Sequence, residues 1–112
     1  MQVRFVNKGN ILIASLSGEL DHHSAEYLRI KLDMEIIKAT VKNVVFDFSK
    51  LIFMDSSGVG VIIGRYRNVQ KLKGKMAIAC ANQQIGRILE MSGIIRVVPL
   101  FNSLSEAVQW AS

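Results

Sequence analysis

Two adjacent serines, Ser56 and Ser57, lie between a short apolar segment and an amphipathic one. The apolar segment, residues 44–48, reads as a buried strand, and apolar residues recur at helical spacing from Val59 to Val69. A helix beginning near Ser57 would direct its unpaired backbone N–H groups and the positive end of its dipole towards both hydroxyls. The sequence therefore predicts a place where a phosphate can be held, either as a ligand or as a covalent modification.

The two serines are expected to have different roles. Ser57 comes immediately before the first helical turn, so its hydroxyl is interpreted as the helix cap, and Gly58 as a residue that permits close packing. Ser56, one residue earlier, is freer to project into solvent. A phosphate on Ser56 would receive hydrogen bonds from the helix N-terminus and add about 1.5 to 2 negative charges to the surface. Ser56 is thus a candidate switch.

Glycines after the serines raise the alternative of a dinucleotide site: Gly58, Gly60 and Gly64. Their spacing is G-x-G-x-x-x-G, with Ile63 where the fingerprint has its third glycine, and the acidic residue expected about 20 positions later is missing. No Gly-Lys-Ser or Gly-Lys-Thr of a P-loop is present either. We predict no cofactor, but a small phosphate- or nucleotide-binding protein, with Arg65 and Arg67 helping the helix N-terminus, stays open.

Catalysis by a serine would need a base within reach, and the two histidines of the chain are His22 and His23. Gly-x-Ser-x-Gly is absent, and no oxyanion arrangement can be recognised. Adjacent histidines point in different directions on a helix and are too few to make a metal site. We expect them in an exposed first helical turn, and predict neither a catalytic nor a metal site.

Apolar periodicity and turn residues predict the elements that position these side chains. Strands are expected at residues 3–6, 11–16, 44–48, 76–80 and 97–100, and helices at 21–39, 57–73, 83–91 and 103–111. Gly18 is expected to end the second strand, Asp21 to cap the first helix and Gly74 to end the second helix. A hairpin followed by alternating strands and helices predicts an α/β fold, a mixed sheet of about five strands with parallel βαβ units and about four helices.

Length and composition limit the number of domains, the compartment and the class of partner that we expect. With 112 residues, half of them hydrophobic, we expect a single domain over residues 1–112. No signal-peptide pattern and no apolar run near about 20 residues is present, and the single cysteine, Cys80, suits a reducing compartment, so the chain is expected to be cytoplasmic and free of membrane contact. The net charge of +5 is interpreted as a solvated helix surface, not a nucleic-acid site; much of it comes from Arg65, Arg67, Lys71, Lys73 and Lys75.

Several segments together resemble the anti-sigma factor antagonists of the STAS domain family. They are Gly18-Glu19-Leu20-Asp21-His22-His23, Phe53-Met54-Asp55-Ser56-Ser57-Gly58-Val59-Gly60, Gly64-Arg65-Tyr66 and Met91-Ser92-Gly93. The resemblance covers nearly the whole chain and is greatest with the sporulation branch from spore-forming Gram-positive bacteria. Two departures are Val59, where relatives often have leucine, and residues 81–87, which are less similar.

The resemblance implies a partner-switching protein and not an enzyme. In this family the unphosphorylated antagonist binds an anti-sigma factor that is also a serine kinase, and binding frees a sigma factor. The kinase then phosphorylates the first serine of the motif, here Ser56, and a serine phosphatase restores it. The residues expected to bind the partner are Gly18, Glu19, Asp21, His22, His23, Asp55, Ser56, Ser57, Gly58, Gly60 and Arg65. A STAS module of a stress-response partner-switching complex is an alternative.

Overall fold

A five-stranded sheet packed with four helices forms the molecule, which confirms the predicted α/β fold. The computed structural model describes residues 1–112. In chain order the elements are β1 (Gln2–Lys8), β2 (Ile11–Leu20), α1 (His22–Ala39), β3 (Asn43–Met54), α2 (Ser56–Lys71), β4 (Met76–Ala79), α3 (Gln83–Ser92), a 3₁₀ helix (Ile94–Arg96), β5 (Leu100–Phe101) and α4 (Leu104–Ala111).

The strands lie in the sheet in their chain order. β1 and β2 form the predicted antiparallel hairpin, and each later strand is parallel to its neighbour. Since parallel strands need crossover connections, α1, α2 and α3 each carry the chain back to the start of the next strand. β3 is therefore the central strand, and the residues after it lie at the carboxyl edge of the sheet.

The helices divide into two layers. α1, α2 and α3 cover one face of the sheet, where the larger apolar core contains Leu28, Leu32, Val59, Ile62, Ile85 and Leu89. α4 alone covers the other face, where Ala107 and Ala111 belong to a smaller core with residues of β2, β3 and β4. The buried Asn43 fastens this second layer, since its Nδ2 donates to the carbonyl of Ala111 at 2.8 Å and its Oδ1 accepts from the N–H of Lys75 at 2.8 Å.

β2 and β3 are both longer than predicted. Gly18 does not end β2, because glycine tolerates its φ of +91° and the strand continues to Leu20. β3 does not end at Phe48 but runs to Met54, and the pairing register shifts twice relative to β2. Core-facing residues of β3 accordingly follow a spacing of two and then of three: Val44, Phe46, Phe48, Leu51 and Met54. The bulges interrupt the alternation of apolar and polar residues, so the second half of the strand lacks the period of two by which a strand is predicted.

The other differences lie at the ends of elements. α2 ends at Lys71, two residues before the predicted end, so Gly74 does not itself end this helix. Gly74 instead allows a close approach of two backbone segments, because a Cβ there would lie 2.0 Å from the carbonyl oxygen of Lys42. β4 ends one residue before Cys80, whose φ is +66°. The last strand is Leu100–Phe101 and not residues 97–100, because the preceding chain forms the 3₁₀ helix. The terminal helix begins after Ser103, whose Oγ accepts from the N–H of Glu106 as predicted.

Candidate functional site

The N-termini of α1 and α2 meet at the carboxyl edge of the sheet. Leu20 and Met54 are paired in the register of β2 and β3, so the next residues, Asp21 and Asp55, begin the two helices side by side. The backbone N–H of Asp55 donates to the carbonyl of Leu20 at 3.2 Å. Both aspartates are N-caps with almost the same backbone conformation, φ −113° and ψ −173° at Asp21 and φ −112° and ψ −173° at Asp55.

Asp55 binds both helices. Its Oδ1 accepts hydrogen bonds from the backbone N–H groups of Ser57 at 2.9 Å and Gly58 at 3.4 Å. Its Oδ2 accepts from the backbone N–H of His22, the first residue of α1, at 3.1 Å. One carboxylate thus satisfies unpaired donors of two helix N-termini.

Ser57 is not the helix cap, so this prediction was wrong. The helix begins one residue earlier than expected, with Ser56 as its first residue and Ser57 as its second. Asp55 takes the cap position, because its carboxylate reaches the second and third N–H groups from there. The hydroxyl of Ser57 instead lies 3.4 Å from Nδ1 of His22 and contributes a second contact between the helices.

Asp21 forms a capping box with Ser24, a residue that was not predicted to belong to the site. Its Oδ1 accepts from the N–H of Ser24 at 3.0 Å, and Oγ of Ser24 accepts from the N–H of Asp21 at 3.0 Å. The hydrogen bond from the Ser24 backbone is the main reason that the pKa of the Asp21 carboxyl lies below its ordinary value. The Asp-x-x-Ser spacing is the signal that could have identified this partner.

Ser56 is exposed, whereas Ser57 is half-buried. This difference agrees with the expectation that Ser56 projects into solvent. The exposed residues around it that were predicted to bind a partner are Glu19, His22, His23 and Gly60. They come from β2, α1 and α2, so the fold assembles them from three elements.

Two glycines of α2 differ in their surroundings. Gly58 is buried, and a Cβ on it would lie 2.7 Å from Cγ of Leu20 and 2.9 Å from Cγ of Met54. Its lack of a side chain lets α2 begin tightly against the ends of β2 and β3. A Cβ on Gly60 would meet nothing within 4 Å, so Gly60 leaves bare backbone on the surface.

The structure does not bring Arg65 to the serines. The Arg65 side chain is only 13% exposed, and its Nε lies 3.1 Å from Oδ1 of Asp33 on α1. Nη1 of Arg29 lies 3.4 Å from the other oxygen of Asp33. Arg65 is nine residues beyond Ser56, or about 13 Å along a helix at about 1.5 Å per residue. It pairs α2 with α1 and leaves little of its guanidinium free for a partner.

A shallow depression of about 630 Å³ adjoins the start of α1. Its lining includes Gly18, Glu19, Asp21, His23 and Tyr27. The two carboxylates disfavour a phosphate-containing ligand there. No group of three or more histidine, cysteine, aspartate or glutamate side chains is close enough to hold a metal ion, and no helix is long and apolar enough to cross a membrane.

Comparisons with known proteins agree with this architecture. A STAS domain model matches residues 2–107. An anti-sigma F factor antagonist from Paenibacillus polymyxa is 37% identical over 103 residues, covering 92% of this chain and 88% of that protein.

Two solved structures of the anti-sigma factor antagonist SpoIIAA share the fold at 27% identity. The unphosphorylated form gives a TM-score of 0.74 and covers 97% of this chain and 96% of its own. The phosphorylated form, from Bacillus, gives 0.77 and covers 99% and 100%.

Proposed function

The chain belongs to the STAS domain family, and on that premise we propose that it is an anti-sigma factor antagonist controlled by phosphorylation of Ser56. The similarity to an anti-sigma F factor antagonist supports the function. The observation that carries the switch is the position of Ser56, exposed at the first residue of α2 where two helix N-termini meet. SpoIIAA, a structural relative, has been solved with and without phosphate, which supports a modification in this fold.

The unmodified surface around Ser56 is the part that binds the anti-sigma factor. Glu19, His22 and His23 supply exposed polar groups at the end of β2 and the start of α1, and Gly60, about one turn after Ser56 on α2, supplies exposed backbone. The absence of a side chain at Gly60 allows a partner to approach α2 closely. Asp21, Asp55, Ser57, Gly18 and Gly58 hold this surface in shape through caps, inter-helix contacts and close packing.

Phosphorylation switches the surface off without unfolding it. Asp55 already accepts hydrogen bonds from the second and third N–H groups of α2, so a phosphate on Ser56 is not needed as a cap and need not displace Asp55. It adds about 1.5 to 2 negative charges in the middle of the binding surface. An unpaired charge buried in an interface is costly, and a like charge opposite it costs several kcal/mol, so the complex dissociates.

The partners follow from this role. The anti-sigma factor is itself the serine kinase that modifies Ser56, and a serine phosphatase reverses the reaction. The antagonist acts by binding, with no chemical step of its own and no direct contact with nucleic acid. Because sigma factors act on transcription, we place the protein in the cytoplasm.

Recombinant anti-sigma F kinase from a spore-forming bacterium, incubated with this chain and ATP, tests the proposal. Mass spectrometry should locate one phosphate on Ser56 and none on a Ser56→Ala variant. Calorimetry should then show that the phosphorylated protein and Ser56→Asp bind the kinase at least about 100-fold more weakly than the unmodified protein.

Ser105→Asp is the matched control. Ser105 is also exposed and in the first turn of a helix, but α4 lies on the opposite face of the sheet. Its variant should bind the kinase like the unmodified protein. Phosphate on Ser57, or equal affinity of the Ser56→Asp and unmodified proteins, would contradict the switch. Tight nucleotide binding without kinase binding would favour the phosphate- or nucleotide-binding alternative.

A further inference from the structure

α1 has a second apolar stripe that no part of the fold covers. Ala25, Leu28 and Leu32 pack on the sheet, whereas another set on α1 faces away from it. Its members are Tyr27, Ile30, Met34 and Ile37, exposed by 47%, 45%, 61% and 77%. We call these four residues the α1 stripe. Contiguous exposed apolar surface of this kind typically marks an interaction site.

The spacing of the α1 stripe is that of a coiled-coil seam. Successive members are three, four and three residues apart, which corresponds to heptad positions a, d, a and d. The e and g positions, which lie on either side of the seam, are occupied by charged residues. Glu26 and Asp33 occupy g positions, and Lys31 and Lys38 occupy e positions.

The two residues of each flank carry the same charge, although both acidic residues are also paired within the chain, Glu26 and Asp33 with Arg29 and Asp33 in addition with Arg65. Arg29 holds the acidic flank in place, since its guanidinium pairs with both Glu26 and Asp33. Lys31, on the basic flank, lies over the ring of Tyr27 with Nζ 5.8 Å from the ring centroid. The apolar seam is thus bordered by an acidic edge and a basic edge.

We propose that the α1 stripe binds the same stripe of a second copy of this chain, with the two helices parallel. In a parallel pair each g residue faces the e residue five positions later in its partner, so Glu26 would face Lys31 and Asp33 would face Lys38. In an antiparallel pair g faces g and e faces e, which would set carboxylates against carboxylates and ammonium groups against each other. The charge pattern thus favours a second copy of this chain as the occupant and a parallel direction of the two helices.

The dimer goes beyond the partner switching proposed above and is compatible with it. Parallel helices place both α1 N-termini, and with them both Ser56 residues, at the same end of the dimer. A dimeric partner could then bind both copies at once, which raises the effective concentration of the second contact. Because the seam has only four apolar residues, the dimer is weak, with a dissociation constant above about 1 µM.

Sedimentation equilibrium of the 112-residue chain over a wide concentration range tests the self-association. The unmodified protein should show a monomer–dimer equilibrium. Met34→Glu should raise the dissociation constant by more than about tenfold, since it places a charge in the seam. Met91→Glu is the matched control: Met91 is 88% exposed on α3, away from the α1 stripe, and its variant should dimerise normally.

The role of the flanking charges and the parallel direction of the two helices are tested separately. Lys31→Glu with Lys38→Glu keeps the α1 stripe intact but makes both flanks acidic, so it should weaken the dimer, and high salt should lessen the difference. In a Cys80→Ala background, Ile37→Cys should form an intermolecular disulfide on mild oxidation, because a parallel pair brings the two copies of residue 37 together. Circular dichroism should confirm that each variant is folded.

Several results would overturn the proposal. One is a monomer at every concentration up to about 1 mM. Another is a dimer that Met34→Glu leaves unchanged. A disulfide between Ile37→Cys and Tyr27→Cys chains, without one between two Ile37→Cys chains, would show antiparallel pairing. Loss of kinase affinity in Met34→Glu while the unmodified chain stays monomeric would assign the α1 stripe to the kinase.

Discussion

The carboxylate of Asp55 accepts a hydrogen bond from the backbone N–H of His22 at 3.1 Å, although 33 residues separate them in the chain. The same carboxylate caps α2. The two helices that border the proposed switch therefore share one anionic group, and their relative position at the surface depends on it. This relationship makes Asp55 the residue whose loss should disturb the site most through structure alone.

Asp55→Ala is expected to lower the free energy of unfolding by about 1–2 kcal/mol, because it leaves N–H groups of both helices without their acceptor. Asp55→Asn is the matched variant, since its side-chain oxygen can still cap α2, and it should lose less than half as much. Urea unfolding measures both. Equal losses for the two variants would show that the hydrogen-bond geometry is not what stabilises this site.

Gly58→Ala is expected to cost about 1–3 kcal/mol of stability. Its Cβ would lie 2.7 Å from Leu20 Cγ and 2.9 Å from Met54 Cγ, so α2 must shift away from the strand ends. The displacement also moves Ser56, and kinase affinity should fall with stability. Urea unfolding and calorimetry on the same variant measure the two effects.

Gly60→Ala is the control for Gly58→Ala and should have the opposite effect on stability. Its Cβ meets nothing within 4 Å, and replacing a helical glycine by alanine stabilises by about 0.5–1 kcal/mol. If Gly60 lies in the proposed interface, the same variant should bind the kinase more weakly while unfolding at higher urea concentration. A parallel rise in stability and affinity would place Gly60 outside the interface.

Asp21 should make part of the stability dependent on pH. Hydrogen bonding from Ser24 depresses the pKa of the Asp21 carboxyl below 3.8 in the folded protein. A depressed pKa contributes stability above the unfolded value, and this contribution is lost as the pH falls through the folded value. The difference in unfolding free energy between the unmodified protein and Asp21→Asn should therefore shrink from pH 6 towards pH 2. If the unfolding free energies of the two proteins stay parallel between pH 6 and pH 2, the depressed pKa of Asp21 does not contribute to stability.

Arg65 and Asp33 should be coupled in a double-mutant cycle. The Arg65 side chain is 13% exposed and Asp33 is 36% exposed, so their ion pair is screened less than a surface pair, and we expect a coupling of about 1 kcal/mol. Arg65→Ala should lower stability yet change kinase affinity less than about threefold, because the guanidinium is largely covered. A large loss of kinase affinity in Arg65→Ala at unchanged stability would instead show that Arg65 contacts the partner.

Periodicity in the sequence predicted most of the fold, because most elements follow one local rule each. The spacing of Ala25, Leu28 and Leu32 predicted α1, and Asp21 its cap, and both are confirmed. The predictions failed where two elements constrain each other. The second half of β3 and the last residues of β2 pair through bulges, and such pairing cannot be inferred from either strand alone.

The site was predicted in part for the same reason. Ser56 is exposed as expected because its position depends on the local transition from strand to helix. The cap was assigned to the wrong residue, since Ser57 and Asp55 are both good caps and only the exact helix start separates them. The contact between Asp55 and His22 depends on the neighbouring ends of β2 and β3, which sequence spacing does not report.

The two register shifts of β3 also restrict how this protein can change in length. Each shift gives β3 one residue more than β2, so Phe48, Leu51 and Met54 all face the core although they are three residues apart. Removal of one residue between Phe48 and Leu51 would therefore be absorbed by loss of one bulge, which keeps Met54 in the core and Asp55 beside His22. Removal of one residue between Val44 and Phe46 would exchange the faces of the side chains that follow, because the strand alternates regularly there. Single-residue deletions in β3 should therefore occur between Phe48 and Met54 among functional descendants of this sequence and be rare before Phe48.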